Sequence, residues 1–353
     1  MSLINIDPIT DARWLTLVNK RSSTVFHAPA WLMVLSDTYG FDIRAQVVID
    51  ESGQARAGLV YAHVHDLLGK RIVSLPFSDY TDPIVDNPDD WEQLVQPLIA
   101  SGQALSVRTL HNAVPLSDPR FTLVKRARWH RIDVRCCTEA IWQKLDDATH
   151  RTIRQAIRDV RAEPDNSPDA IQRFYQMHLS VRKRKYKMLA QPARFFQNIY
   201  THWIDPSSGN GDGTVILARH GAEVVAAAVV LRWQDTLYYK FSASASEHLC
   251  ARPNDLLVWA LIQYAQQIGC DWIDYGLSDW NQEGLIRFKR KYATEEGVIS
   301  FLRHTSPHEP PVAGEGEPAA RQMFNSLTEL LTDPSVPDAI TERAGNLLYR
   351  YFV

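Results

Sequence analysis

The sequence predicts an α/β (α+β) fold of two tandem units, each a mixed sheet flanked by helices. Three observations carry this expectation. The second half reads as strand, strand, strand, helix, strand, helix, strand, and the first half echoes that order. The stretch EPDNSPDA (163–170) is a dense boundary signal between the halves. A chain of 353 residues, 45% hydrophobic and 22% charged, is long enough for two ordinary cores.

The elements follow in order. APAWLMVLSDTYG reads as a helix closed by Gly40 at its C-cap. FDIRAQVVID and ARAGLVYAHVHD are strand-like runs around the turn ESG. After RIVSLPFSDYTDPIVD, a helix is expected over NPDDWEQLVQPLIASG, with Asp89 or Asp90 near its cap. ALSVRTL and FTLVKRARWHRIDV read as strands, and the amphipathic TEAIWQKLDDATHRTIRQAIRDVRA leads into the boundary. Beyond it come helices DAIQRFYQMHLSVRKRKY and PARFFQNIYTHWI, then strands TVILARH, VVAAAVVLRW and TLYYKFSAS. Helix PNDLLVWALIQYAQQIG has Pro253 near N1 and Gly269 past its end. CDWIDYGLS, NQEGLIRFKRKY and GVISFLRH complete the order as strand, helix and strand. The expected division is 1–135, a linking helix and loop at 136–168, a second unit at 169–303, and a connector with two short helices at 304–353. Within that last part, HTSPHEPPVAGEGEPAA reads as flexible.

Composition removes several function classes. The net charge of −3 gives no global field for nucleic acid, so any RNA contact would be local. The longest apolar run, VVAAAVVL, is too short to span a bilayer, and MSLINIDPITDARW has no secretory pattern, so a cytoplasmic protein is expected. Four cysteines without a CxxC motif fit incidental thiols in a reducing compartment. His63 and His65 share one strand face, but the pattern supplies no third ligand, and no metal is expected. GNGDG precedes a strand and not a helix, so it is no phosphate loop. Serine hydrolase, P-loop and dinucleotide motifs are absent from the sequence.

Four stretches carry candidate chemistry. In RFKRK, a helix over Asn281–Tyr292 puts Leu285, Phe288 and Tyr292 on one face and Arg287, Arg290 and Lys291 toward solvent. Lys289 follows Leu285 by four positions, so its ammonium lies on the inward stripe, where it must snorkel, pair or sit in a cleft. In VRKRKYK, Arg182 and Tyr186 are four apart and would be neighbours on one helix surface, suited to a phosphate or carboxylate. Lys183, Arg184 and Lys187 read as solvated. PFSDYTDPIVD gathers Asp79, Tyr80, Asp82 and Asp86, which could orient an amine, hold a general base, or simply cap a turn. The helix opening at ARPND offers free amides to an anion, with Asn254 as a cap or ligand, whichever of Tyr238 and Tyr239 points toward the helix end as an acid or orienting donor, and Ser278 closing CDWIDYGLS.

Together, FYQMHLSVRKRK, PARFFQNIY, LARHGAEVVAAAVVLRW, YYKFSASAS, ARPNDLLVWALIQYAQQIGCDWIDYGLS and GLIRFKRKY resemble the Fem-like branch of the GNAT acyltransferase superfamily. FHAPAWL and PFSDYTDPIVD resemble that branch's N-terminal half, so the likeness spans roughly residues 20–303 in element order. It implies two tandem GNAT-like units with a substrate cleft between or beside them. Fem transferases move an amino acid from aminoacyl-tRNA to an amine of a peptidoglycan precursor; other relatives are N-acyltransferases of exopolysaccharide or cell-envelope synthesis, with acyl-CoA as donor. By this resemblance Tyr80, Asp86, Arg182 and Tyr186 line the acceptor site, Lys289 lies near the reacting carbonyl, and Tyr239 faces the cleft. The chain departs from the pattern in having Asp82-Pro83 where a Gly-Pro is usual, no coiled-coil arm, and no Gly-rich pyrophosphate loop in SEHLCARPND.

The expected function is therefore N-acyl transfer (acetyl, acyl or aminoacyl) to an amine of a cell-envelope or polysaccharide precursor, a small molecule, glycan or peptide. Lys289, Asp86 and Tyr239 form the catalytic set, with Asp79, Tyr80, Arg182, Tyr186, Asn254 and Ser278 binding substrate. The alternatives are a non-catalytic GNAT scaffold that binds a sugar nucleotide or partner, and a tRNA-dependent aminoacyltransferase. Donor, acceptor and oligomeric state stay open at this level.

Overall fold

The computed structural model describes residues 2–66, 69–208, 212–305 and 319–353. Unit 1 comprises Met1–Arg128, Gly297–Phe324 and Arg350–Val353; unit 2 comprises Trp129–Glu296 and Asn325–Tyr349.

Unit 1 opens with β1 (Ser2–Ile6), α1 (Ala12–Lys20) and α2 (Pro29–Tyr39). Strands β2 (Asp42–Ile49), β3 (Ala55–Asp66) and β4 (Gly69–Val73) follow, and α3 (Pro88–Ala100) crosses over to β5 (Ala104–Thr109). The unit boundary falls inside β6 (Thr122–Asp133). Unit 2 then adds α4 (Thr138–Lys144), α5 (Asp147–Asp159), β7 (Val160–Asp165), α6 (Pro168–Arg184) and α7 (Ala193–Ile199). After these come β8 (Gly213–His220), β9 (Glu223–Trp233), β10 (Thr236–Ser244), α8 (Pro253–Gln267), β11 (Trp272–Asp279) and α9 (Glu283–Arg290). From Gly297, β12 (Glu295–His304) belongs to unit 1, and α10 (Ala319–Leu331) and α11 (Asp338–Leu348) close the chain.

The two units repeat one topology. In unit 1 the strand order is β1-β2-β3-β4-β5-β12, antiparallel except for the parallel pair β4–β5. In unit 2 it is β7-β8-β9-β10-β11, antiparallel except for the parallel pair β10–β11. Parallel neighbours need a crossover, supplied by α3 in one unit and α8 in the other. The run β1-α1-α2-β2-β3-β4-α3-β5 is thus matched by β7-α6-α7-β8-β9-β10-α8-β11.

Packing explains the local patterns. β9 is apolar without alternation because α6 covers one of its faces and α8 the other. In unit 1, Trp91, Leu94, Val95 and Leu98 of α3 pack on Leu59, Tyr61, Leu105 and Val107. In unit 2, Leu257, Leu261 and Ile262 of α8 meet Ile153, Ala156, Ile216 and Ile273. Each fully buried side chain of this kind contributes roughly 1.5–3 kcal/mol.

Several expectations change. The segment expected as a linker, 136–168, is part of unit 2, with Ile153, Ala156 and Val160 in its core. Part of the expected boundary loop is the edge strand β7, in register with Val215–His220; Pro164 is tolerated there because an edge strand can spare its N–H. Residues 297–303, expected in the C-terminal unit, pair with β5 of unit 1. β1 and α1 carry no counterpart in the sequence reading. The cap of α3 is Asn87, whose side chain accepts from the Asp90 amide at 2.9 Å, rather than either aspartate. Most of the expected connector, at 306–318, lies outside the described residues, as does 209–211 of GNGDG.

Candidate active site

In unit 2 the parallel pair β10–β11 opens into a fork. Their pairing runs only from Thr236–Trp272 to Tyr238–Asp274, although β10 continues to Ser244 and β11 to Asp279. Both strands turn at that level for identifiable reasons. β10 carries a bulge between Tyr239 and Phe241, and a bulge bends its strand. β11 turns at Gly276, whose φ of 70° suits glycine; the Asp274 carboxylate holds this turn by accepting from the Gly276 amide at 2.7 Å and from Trp129 Nε1 at 2.9 Å. Ligands of open α/β sheets sit at such carboxyl ends of parallel strands.

Lys289 closes the fork from α9. It is 5% exposed, and its Nζ donates to the Gly276 and Leu277 carbonyls, each at 2.9 Å. Its ammonium also stands 5.6 Å from the Tyr275 ring centroid. The expected inward lysine is thus found, but on a different stripe. Leu285 is 40% exposed, and Ile286, three residues before Lys289, is the buried partner. Lys291 is not simply solvated: it donates to Asp255 at 3.0 Å. Arg290 pairs with Glu296.

Tyr239 packs edge-on against Tyr275 at 5.2 Å between ring centroids. Burial pushes the Tyr239 phenol up to about 12, opposed by the Ser242 hydroxyl, and burial pushes Tyr275 well above the ordinary tyrosine range. The Tyr275 hydroxyl and Ser278 Oγ are both buried without a hydrogen-bond partner among the described residues. Both phenols therefore stay protonated at neutral pH, so the fork offers neutral hydroxyls around one buried cation.

At the mouth of the fork, Asn254 Nδ2 donates to Ser244 Oγ at 3.3 Å, tying the start of α8 to the end of β10. Asp255 fills the first turn of α8 with a carboxylate that accepts from Tyr292 at 2.8 Å as well as from Lys291. A carboxylate suits the positive end of a helix dipole, and the Lys291 ammonium compensates its charge.

Arg182 and Tyr186 do not share a helix face. α6 ends at Arg184, and Tyr186 lies beyond it, 48% exposed. Arg182 Nε instead donates to the Leu189 carbonyl at 3.1 Å, bracing the loop to α7. Lys183, expected in solvent, is buried; it bonds the Val336 carbonyl and reaches Asp338 at 2.8 Å, while Arg184 takes the other oxygen of that carboxylate at 2.8 Å. These two cations fasten α11 to α6.

The remaining predicted residues lie in unit 1. Tyr80 is buried edge-on between Phe26 and His111. Asp79 is half-buried and acts electrostatically on Arg108. Asp86 is exposed and pairs with Arg21, a poor setting for a general base. Asp82, at the unusual Asp-Pro, has a structural role, since its carboxylate accepts from the amides of Leu110, His111 and Asn112 at 2.8–3.2 Å. Its own carbonyl meets His27 Nε2 at 2.8 Å. Because the Thr24 amide donates to His27 Nδ1, the proton sits on Nε2, and burial keeps that imidazole neutral.

Sequence reasoning missed Tyr275, Asp274, Lys183 and Arg108. Only Asp274 left a signal, an acid two residues before a glycine inside a strand. Among the described residues, no three His, Cys, Asp or Glu side chains converge as a metal requires, and no helix is long and apolar enough to cross a membrane.

This geometry meets independent likenesses. Residues 147–290, within unit 2, match the family model described as an acetyltransferase (GNAT) domain. Unit 2 thus carries a GNAT-type domain fold, and its strand topology is present twice in the chain. More particularly, the chain is similar in structure to FemX, with a TM-score of 0.65 at 13% identity, over 85% of this chain and 97% of that one. It is also similar to L-PGS from Bacillus licheniformis (TM-score 0.55, 12% identity, 91% and 97% covered). A tandem GNAT protein from the clavulanic acid biosynthesis pathway gives a TM-score of 0.54 at 9% identity, with 88% and 99% covered. No curated protein matches the sequence.

Proposed function

We propose that the protein is an N-acyltransferase that moves an activated acetyl, acyl or aminoacyl group onto an amine of a cell-envelope or polysaccharide precursor in the cytoplasm. The observation that supports this most is the β10–β11 fork, closed by a buried ammonium and lined by neutral hydroxyls, inside the segment matching the acetyltransferase model. In this reading the amine lone pair attacks the carbonyl carbon, and the carbon–sulfur or carbon–oxygen bond to the leaving group breaks. One amine proton ends on the leaving group, so the sum is amide plus free thiol or hydroxyl. Lys289 supplies positive charge to the developing oxyanion, a contribution typically worth about 3–4 kcal/mol. Tyr239 and Ser278 orient the acyl donor. Asp86, exposed and spent on an ion pair with Arg21, is a poor candidate to deprotonate the amine.

Acyl-CoA and aminoacyl-tRNA are the two donors to separate. The test is turnover with purified full-length protein: thiol release from acetyl-CoA and longer acyl-CoAs against an amine panel, beside transfer from aminoacyl-tRNA to the same acceptors. Transfer is expected with one donor, lost in Lys289→Ala and kept in Arg287→Ala. Turnover with neither donor, with amine acceptors still raising the melting temperature, would instead establish a binding scaffold.

A further inference from the structure

α9 has little of its own to hold it in place. It runs for eight residues, of which only Ile286 and Lys289 are buried. A helix so short is not stable by itself, so its seat depends on what its ends are fastened to. The C-terminal end is fastened through Tyr292. The Lys289 carbonyl accepts from the Tyr292 amide at 3.1 Å and from the Ala293 amide at 2.9 Å, which couples the backbone of Tyr292 to that of Lys289.

Tyr292 is buried in the core of unit 2. Its hydroxyl donates to Asp255 Oδ1 at 2.8 Å, and Lys291 Nζ donates to the same oxygen at 3.0 Å. Asp255 is itself buried, in the first turn of α8. Burial, with that carboxylate beside it, holds the Tyr292 phenol above the ordinary tyrosine range, so it stays a donor.

These bonds close a ring around the fork. At the end of β10, Ser244 is tied to Asn254; the next residue, Asp255, holds Tyr292 and Lys291; and Lys289 donates to Gly276 and Leu277 of β11. Asp255 is the joint between α8 and α9 in that ring. The Tyr292 bond is the stronger half of the joint, because the Lys291 side chain is 34% exposed and its attraction is screened by water. A lysine carries its ammonium on a flexible four-carbon stem, so the charge stays at one place only while the helix behind it does.

We propose that Asp255 is a positioning residue: by holding Tyr292 and Lys291 it keeps α9 seated, and so keeps the Lys289 ammonium at the Gly276 and Leu277 carbonyls inside the fork. The use of that ammonium in acyl transfer rests on the function proposed above; its placement does not. The test labels the amines of the full-length protein with succinimidyl acetate and follows each lysine by mass spectrometry. Lys289 is expected to react slowly in the wild type, and roughly 10-fold or more faster in Asp255→Ala and in Tyr292→Phe as local opening becomes easier. Lys183, buried at the contact of α6 with α11, is the internal control and should keep its wild-type rate. If Asp255→Ala misfolds, both lysines react together, and Tyr292→Phe, which deletes one oxygen atom, still decides. In that variant, Lys289 labelling at the wild-type rate, or Lys289 and Lys183 accelerating together, would overturn the proposal. With the donor that the wild type turns over, Tyr292→Phe should lower kcat by about 10-fold or more and leave KM within about twofold. Faster labelling of Lys289 with an unchanged kcat would uphold the positioning and overturn the role of Lys289 in catalysis, so the two failures are told apart.

Discussion

Replacing Lys289 by methionine tests whether the buried ammonium holds the bend of β11. Methionine keeps most of the stem's packing while deleting the charge. Two charge-assisted hydrogen bonds disappear, and the Gly276 and Leu277 carbonyls lose a buried donor, at roughly 1–3 kcal/mol for each orphaned group. Relief from burying an ammonium offsets part of this. A net loss of about 2–4 kcal/mol remains, and at about 2–4 °C per kcal/mol for a domain of this size the melting temperature falls by roughly 4–16 °C. Arg287→Met, on the exposed side of the same helix, is the control and should melt as the wild type does. Circular dichroism melts of the three proteins measure the difference. A Lys289→Met melting point within about 2 °C of wild type would refute the claim that these bonds shape the fork.

Three further outcomes are expected. Burial among aromatic rings drives the His178 imidazole down to about 4, below its unfolded value of roughly 6.5, so its contribution is whole above about pH 6.5 and drains away as pH falls toward 4, by up to about 1.4 kcal/mol per pH unit. Urea melts at pH 7 and 4.5 should show that loss in wild type and a shallower one in His178→Gln; identical pH slopes would count against it. Gly345→Ala would bring a Cβ to 2.5 Å from the Ala190 carbonyl oxygen, forcing α11 off its seat at a cost of roughly 1–3 kcal/mol and quickening trypsin cleavage near the C-terminus. Asp82→Ala leaves the amides of Leu110, His111 and Asn112 without their carboxylate, so hydrogen exchange there should accelerate about 10-fold or more, with an unchanged rate speaking against the capping role.

Much of the second unit is legible in the sequence because its signals are local. Pro253 and Gly269 mark the ends of one helix, and the apolar run of β9 marks a strand covered on both faces. Lys289 emerges for a partly mistaken reason: position four before it is Leu285, in solvent, and position three before it is Ile286, inside. Arg182 and Tyr186 mislead because nothing in VRKRKYK stops a helix. The chain turns at Lys187 with a φ of 52°, a turn that glycine usually signals. Lys183 looks like surface because its partners, Val336 and Asp338, are more than 150 residues away in sequence. Arg108 is invisible for a related reason: its environment comes from β12 and from a loop whose path depends on two residues at positive φ.

The assignment of β12 to unit 1 has a consequence for how the protein is made. An internal partner of β5 is encoded after all of unit 2 up to Glu296. A ribosome adding about 5–20 residues per second needs roughly 10–35 s to travel from the end of β6's first half to the end of β12. Throughout that interval β5 waits with one edge unpaired, and unit 2 waits longer still for α11, the partner of its buried Lys183. Expressing residues 1–128 alone would preserve that exposed edge permanently, so the halves of this gene are not the halves of this protein.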